Sequence, residues 1–327
     1  MSITAAQLRY PKVRALLPRT RLAYVHLKNL LTDAKRDRTA RVFGYVGIWL
    51  PDEFLMLYME EGEVVNATGT TDGRHWRALP LSEAVGKVPS AAEYGEICFH
   101  QAADEQLAAM FATQLMPDVA WPAELALRDT QAVLAHLMAT LFDGVMELMD
   151  GGAMHYVVFK HGMPLRGYFA DGELSNDLSL HLRVVLDSAL RHAGSVRRWD
   201  VPSALANQAA PALITAYRDF MGSVVQSLTD RGAAGAVAVA EQARQMLMGR
   251  HPALEKFSLL VPHPRDPVVT APELSAAIAA WLKETLWLTH LPDGQAPERL
   301  IAELARGRRH LFQAAGLFDA LPWTIPW

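Results

Sequence analysis

His263, Arg265 and Asp266 fall within four residues in the segment HPRDP (His263–Pro267), so one loop carries an imidazole, a guanidinium and a carboxylate. Loops held by a rigid scaffold often carry catalysis, which makes an enzyme using the His263–Asp266 loop one reading of the chain. Prolines 262, 264 and 267 favour a plainer one, a stiff connector in which Asp266 pairs with Arg265. Twelve histidines raise the question of metal, but no HExxH or HxxxH spacing occurs, and a single cysteine rules out Cys-rich zinc sites. His155 and His161 are six residues apart on an extended stretch, too far to share an ion. There is no GxSxG elbow and no GxGxxG, and the Gly222–Gly235 stretch lacks the GK[ST] of a phosphate loop. No catalytic residue, metal or other cofactor is expected.

Two basic clusters remain. Arg36, Arg38 and Arg41 belong to KRDRTAR, and Arg306, Arg308 and Arg309 to RGRRH. Guanidinium forks suit carboxylates and phosphates, so these six form a candidate surface for a small anionic ligand or an acidic partner; the alternative is a solvated face. Residues 1–41 hold ten Lys or Arg against Asp33 and Asp37, while the whole chain is at −4, so the remainder is acidic. Without interleaved aromatics or a basic balance, nucleic acid is not an expected partner. The end, LPWTIPW, offers Trp323, Ile325 and Trp327 as apolar area. It is expected to dock, either on its own helical domain or across a homodimer interface.

The elements that position these residues are organised around a repeat. Gly44 set over Gly144 runs without a gap to Gly62 over Gly162, with Ile48 on Leu148, Leu57 on Val157 and Met59 on Phe159. In both, an apolar run meets a charged Gly-containing turn and resumes as a second strand. Leu27, Leu30, Leu31 and Ala34 precede the first; Leu134, Leu137, Met138 and Leu141 precede the second. Each set lies on one helical face. The helices are offset by 107 rather than 100, which reads Lys35–Arg41 as a seven-residue insertion.

The LxxLL helix, the strand ending at Leu50, LMLYM running into Glu60–Glu61–Gly62, VVNA, the helix LPLSEAV and the strand GEICF together resemble the PATAN-type domain of bacterial gliding and phototaxis regulators. The resemblance covers about residues 22–100 and more loosely 127–187. The second copy, with YVVFKHGMPLRG and a following helix, is also similar to a roadblock-like α/β module. Either resemblance implies protein–protein contact rather than catalysis.

Along the chain, a short helix is expected around Leu8–Leu17 and a helix at Glu105–Met116. Linkers are expected at Met116–Glu124 and Ser195–Ser203, the first carrying two prolines. From there the pattern is helical, apart from a lone strand FSLLV (Phe257–Val261). A capping box is expected at Thr270–Glu273, and a last helix from Glu298 to Leu317. The fold class is therefore α+β: a module with its basic N-terminal segment in 1–120, a shorter sheet-and-helix module in 121–200, and a helical domain with the aromatic tail in 201–327. No run approaches the ~18 apolar residues of a membrane span. Cys98 sits in an apolar strand as a buried thiol, and no secretory signal is evident, which points to the cytoplasm. The leading functional reading is a non-enzymatic regulatory or adaptor protein of bacterial signalling. The alternative is a sensor that binds a nucleotide or other small anion between the modules, near Lys35–Arg41.

Overall fold

A computed structural model describes residues 5–36, 42–88, 94–127, 129–172, 177–192, 194–200, 206–261, 265–289 and 296–327. In order, the elements are β1 (Arg14–Arg21), α1 (Leu27–Arg36), β2 (Gly44–Trp49), β3 (Phe54–Glu60), β4 (Glu63–Thr70), β5 (Arg77–Ala78), α2 (Leu81–Gly86), β6 (Glu96–Gln101) and α3 (Asp104–Leu115). Next come α4 (Thr130–Ala139), β7 (Gly144–Asp150), β8 (Ala153–Lys160), β9 (Met163–Phe169), α5 (Leu178–Arg191) and β10 (Ser195–Asp200). The rest is helical: α6 (Pro211–Asp230), α7 (Ala236–Leu247), α8 (Ala271–Thr289), α9 (Pro297–Ala305), α10 (Arg309–Ala314) and α11 (Leu317–Ala320). The chain is α+β. It divides into two compact units, Met1–Leu79 with Ala84–Ala206, and Asn207–Trp327 with Pro80–Glu83. Among the described residues no helix is long and apolar enough to cross a membrane.

The first unit holds both sheets. Their orders are β1-β6-β2-β3-β4-β5 and β10-β7-β8-β9, with every ladder antiparallel. The two β-rich segments share one plan: a helix, a three-strand meander, a helix, and a strand returning beside the first. Their registers agree in detail. Gly44 faces Met59 and Gly144 faces Phe159, and the ladder slips between Tyr58 and Met59 in one and between Val158 and Phe159 in the other. Both hairpins turn on two residues with positive φ, Glu61–Gly62 (49° and 82°) and His161–Gly162 (49° and 76°), the geometry that matches strand twist. A Cβ on Gly62 would meet the Ala34 carbonyl oxygen at 2.4 Å, and one on Gly162 the Leu137 carbonyl oxygen at 2.5 Å. Ala34 is thus the counterpart of Leu137. The helix offset is 103 rather than the expected 107, and the first loop is longer by three residues, not seven.

Alternation along the strands sorts the side chains. Tyr45, Trp49, Met56 and Tyr58 from one sheet and Val145, Met149, Met154 and Tyr156 from the other share a core with Leu107 and Met110 of α3. On the opposite face of the second sheet, Met146, Leu148, Val157 and Phe159 pack with Val133 and Leu137 of α4 and Leu182 and Leu186 of α5. Leu57 and Val157, paired in the repeat, are both fully buried.

Three expected elements differ. The helix around Leu8–Leu17 is replaced by extended chain entering β1, which pairs with β6 at the sheet edge. Pro11 lies inside the expected helix, and Pro18 disfavours helical backbone at Leu17. An edge strand tolerates the missing N–H of Pro18, and the ladder is irregular between Leu17 and Thr20. The linker expected at Ser195–Ser203 begins with β10, which makes six consecutive pairs with β7, so the second segment runs to Asp200. Its sequence lacks apolar alternation because Arg197 meets Glu147 and Arg198 covers the Trp121 ring at 4.6 Å. Phe257–Val261 is no strand. A 3-10 turn, Pro252–Lys256, delivers Phe257 into the helical core, which among the described residues offers no sheet edge to pair with.

The second unit is built on α6 and α8. Leu213, Tyr217, Phe220 and Val224 of α6 and Leu274, Ile278, Trp281 and Leu282 of α8 are buried in one core. Thr270 and Glu273 form the expected capping box, with Thr270 N donating to Glu273 at 3.1 Å and Glu273 N to Thr270 Oγ1 at 3.4 Å. The helix expected over Glu298–Leu317 is broken by a 3-10 turn at Arg306–Arg308, where Gly307 weakens it, and again at Gly316 (φ 79°).

A candidate ligand cavity between the two sheets

Tyr10 reaches the shared core because the chain before β1 is stitched to the second sheet. Arg9 N donates to Gly152 O at 2.9 Å, and Met154 N donates to Arg9 O at 2.9 Å. Gly152 is required there: its φ is 86°, and a Cβ would lie 2.5 Å from the Gln7 carbonyl oxygen. The Tyr10 ring then stacks on Phe54 at 5.9 Å and meets Trp76 edge-on at 6.4 Å. Trp76 is placed by the turn after β4. Asp72 Oδ1 accepts from the Arg74 and His75 amides, both at 2.8 Å, and Oδ2 contacts His75 Nδ1 at 2.5 Å. The backbone bond from His75 leads the interactions that hold the Asp72 carboxyl well below its usual range.

Tyr10 and Trp76 border a cavity of about 480 Å³ whose lining also includes Arg74, Gln114, Glu147, Tyr156 and Arg197. Glu147 is buried on β7, and one of its oxygens accepts from Nε and Nη2 of Arg197 on β10 at 3.2 and 3.0 Å. Burial pushes the Glu147 carboxyl up, and Arg197 opposes it. Gln114 Oε1 accepts from Tyr58 and from Thr68, both at 2.7 Å. The Tyr10 hydroxyl is buried beside Gln114, and the Tyr156 hydroxyl beside Thr113 and Glu147, close enough to interact but without the geometry of a well-formed hydrogen bond. Burial raises both phenols well above their usual range, so they remain protonated donors.

A smaller cavity of about 330 Å³ also borders Tyr10, and its lining includes Arg19, Tyr45, Trp49, Cys98 and His100. Arg19 stacks over Trp49 at 4.0 Å, and His100 Nδ1 lies 2.9 Å from the Tyr45 hydroxyl. Burial, helped by Lys12, holds His100 down to about 4, and burial pushes the Cys98 thiol up to about 11. The thiol is buried and poorly nucleophilic.

The residues singled out in the sequence lie elsewhere. Arg36 is exposed at the end of α1, while Arg38, Arg41 and His263 lie outside the described residues. Arg306 is exposed; Arg308 donates to Asp219 at 2.7 Å, and Arg309 covers the Trp327 ring at 4.3 Å. Asp266 pairs with Arg218 at 2.6 Å rather than with Arg265, whose carbonyl accepts from the same guanidinium at 3.0 Å. In the tail Ile325 is buried, Trp323 is half-buried against the helical core, and Trp327 meets Phe318 edge-on at 4.9 Å. The sequence reading missed Tyr10, Glu147, Tyr156 and Arg197. One sign was available: Glu147 is a lone charge inside the otherwise apolar GVMELM. No protein-family model, curated protein or solved structure matches this chain.

Proposed function

We propose that this chain is a non-enzymatic regulatory adaptor of the PATAN type, arisen by duplication and acting by protein–protein contact in bacterial cytoplasmic signalling. The supporting observation is a groove of about 460 Å³ between α4 and α5, whose lining includes Leu134, Met138 and Val184. Met138 and Val184 are 54% and 51% exposed, and neighbouring Leu180 is 52% exposed. Arg183 and Asp187 flank this apolar strip, the arrangement that accepts the apolar face of a partner helix. The test compares proteins cross-linked to the wild-type chain in its own cells with those cross-linked to a Met138→Asp, Val184→Asp variant. A partner lost by a variant that still melts like the wild type supports the adaptor. Identical profiles would overturn it.

A second reading, small-molecule sensing, is favoured by the inter-sheet cavity rather than by the Lys35–Arg41 loop. Its lining carries Arg74 and Arg197 against the one carboxylate of Glu147, a balance that suits a small anionic ligand.

A further inference from the structure

We propose that the inter-sheet cavity binds a small aromatic monocarboxylate, with the carboxylate held by Arg74, Ser195 and Arg197 and the ring set against Trp76. The inference rests on the sensing reading above and supplies its ligand class.

Three observations carry it. The first is charge. Apart from the buried phenols, the ionisable side chains on the lining are Arg74, His75, Glu147 and Arg197. His75 lies against Asp72 at 2.5 Å and Glu147 is matched by Arg197, whereas Arg74 is exposed and has no ion-pair partner among the described residues. One cation is left over, the complement of a single carboxylate. An uncharged ligand would leave that guanidinium unmatched, and a dianion would bring one negative charge too many into a partly closed space. The second is a set of placed donors. Nε and Nη2 of Arg197 are held by Glu147, and the guanidinium lies over the Trp199 ring at 4.8 Å, so the side chain is fixed. Its Nη1 bonds to no protein atom among the described residues and is not sealed from solvent. Ser195 stands two residues earlier on β10, hence on the same face, and its hydroxyl is open in the same way. A guanidinium N–H and a hydroxyl on one strand face suit a carboxylate, which accepts from several donors at once. The third is the wall. Trp76 is half-buried, and edge-on contacts with Tyr10 at 6.4 Å and Phe54 at 5.8 Å set its ring. A second ring placed on it gains beyond the area it buries. At about 480 Å³ the space is within the range of small-ligand pockets.

The strand frame does not need the polar rung. Where Glu147 faces Arg197 and Tyr156, the first segment has Gly47 facing Cys98 and Met56 and keeps the same ladder. A buried ion pair adds little net stability over well-packed apolar side chains, so stability does not account for this one.

The full chain would be titrated by calorimetry with benzoate and indole-3-acetate, with benzamide as the neutral counterpart, and with malate and AMP as multiply charged anions. The expected result is saturable binding of a monocarboxylate and none of benzamide. That binding should weaken about tenfold or more in Arg74→Gln and in Ser195→Ala, the usual scale for a hydrogen bond to a charged group. Arg74 is exposed, so Arg74→Gln should melt like the wild type, and its weaker binding then reads as a lost contact. Benzamide binding as tightly as benzoate would overturn the ligand class. Malate or AMP binding that Arg74→Gln weakens, while the monocarboxylates do not bind, would overturn the class and leave anion sensing intact. If Arg74→Gln weakens the binding of no probe, the proposal and the sensing reading both fall.

Discussion

Glu147 and Arg197 face each other across the β7–β10 ladder, and Nε and Nη2 of the guanidinium both donate to one carboxylate oxygen. The carboxylate is 3% exposed, so the bridge spares it an uncompensated charge in the core.

Arg197→Met should therefore destabilise the first unit by roughly 3–5 kcal/mol at pH 8, the usual effect of stranding a buried charge. The folded carboxyl already titrates above its ordinary value. Its charge thus costs stability once the pH exceeds the unfolded value, and protonation relieves that cost as the pH falls. Without Arg197 the upward shift grows. The variant's deficit should shrink as the pH drops toward about 4.5. Chemical denaturation at pH 8, 6 and 5 would check this, and a pH-independent deficit would show that Arg197 acts through packing alone.

Histidine gives the opposite slope. Burial holds His155 down to about 4, and it is almost fully buried beside Phe169. The unfolded chain binds a proton near pH 6.5 that the folded chain refuses, so stability falls from about pH 6.5 to 4 by about 1.4 kcal/mol per pH unit. His155→Gln should lose its own share of that acid sensitivity, with His100 keeping an equal one, while His161→Gln, in an exposed turn, should keep both. Melting curves at pH 7 and 5 are enough, and equal slopes in both variants would discard the assignment.

Glycine substitutions should separate the two hairpin turns from ordinary helix. At Gly62 and Gly162 an alanine meets both positive φ and a backbone carbonyl within 2.5 Å, and each change should cost more than about 1 kcal/mol. Gly222 lies inside α6 with nothing within 4 Å of a new Cβ. Gly222→Ala should stabilise the second unit by about 0.5–1 kcal/mol. Denaturant midpoints of the three variants test the ordering.

Removal of residues 322–327 takes away buried Ile325 and the half-buried Trp323 ring. The truncated chain should keep its mass in light scattering and lose roughly 2–5 kcal/mol, as for other large core deletions. A fall from dimer to monomer would instead give the tail an intermolecular role.

The sequence made the two hairpins plain because continuous apolar runs, turn glycines and a shared register agree there, as at Gly44–Ala67 and Gly144–Gly167. It also marked α8, where capping box and apolar spacing coincide. It failed at β1 and β10, which are strands by virtue of their neighbours. Pro18 and Arg197–Arg198 contradict local strand propensity, and only the edges of β6 and β7 make those segments extended. The cavity was hidden for the same reason. Tyr10, Glu147 and Arg197 are far apart in sequence, and their meeting depends on a strand that looked like a linker and an N-terminal stitch that looked like a helix.

The return of β10 to the far side of β7 has a consequence for synthesis on the ribosome. At about 5–20 residues per second, β7, β8 and β9 can pair seconds before Ser195 emerges. Throughout that interval the outer edge of GVMELMD is an open row of amides and carbonyls, a template for another nascent chain. Glu147 sits in the middle of that edge, and a carboxylate there penalises any strand that does not bring its own cation. Arg197 arrives with β10 and meets the condition. The charge that later lines a cavity first serves as a password for the correct closing strand.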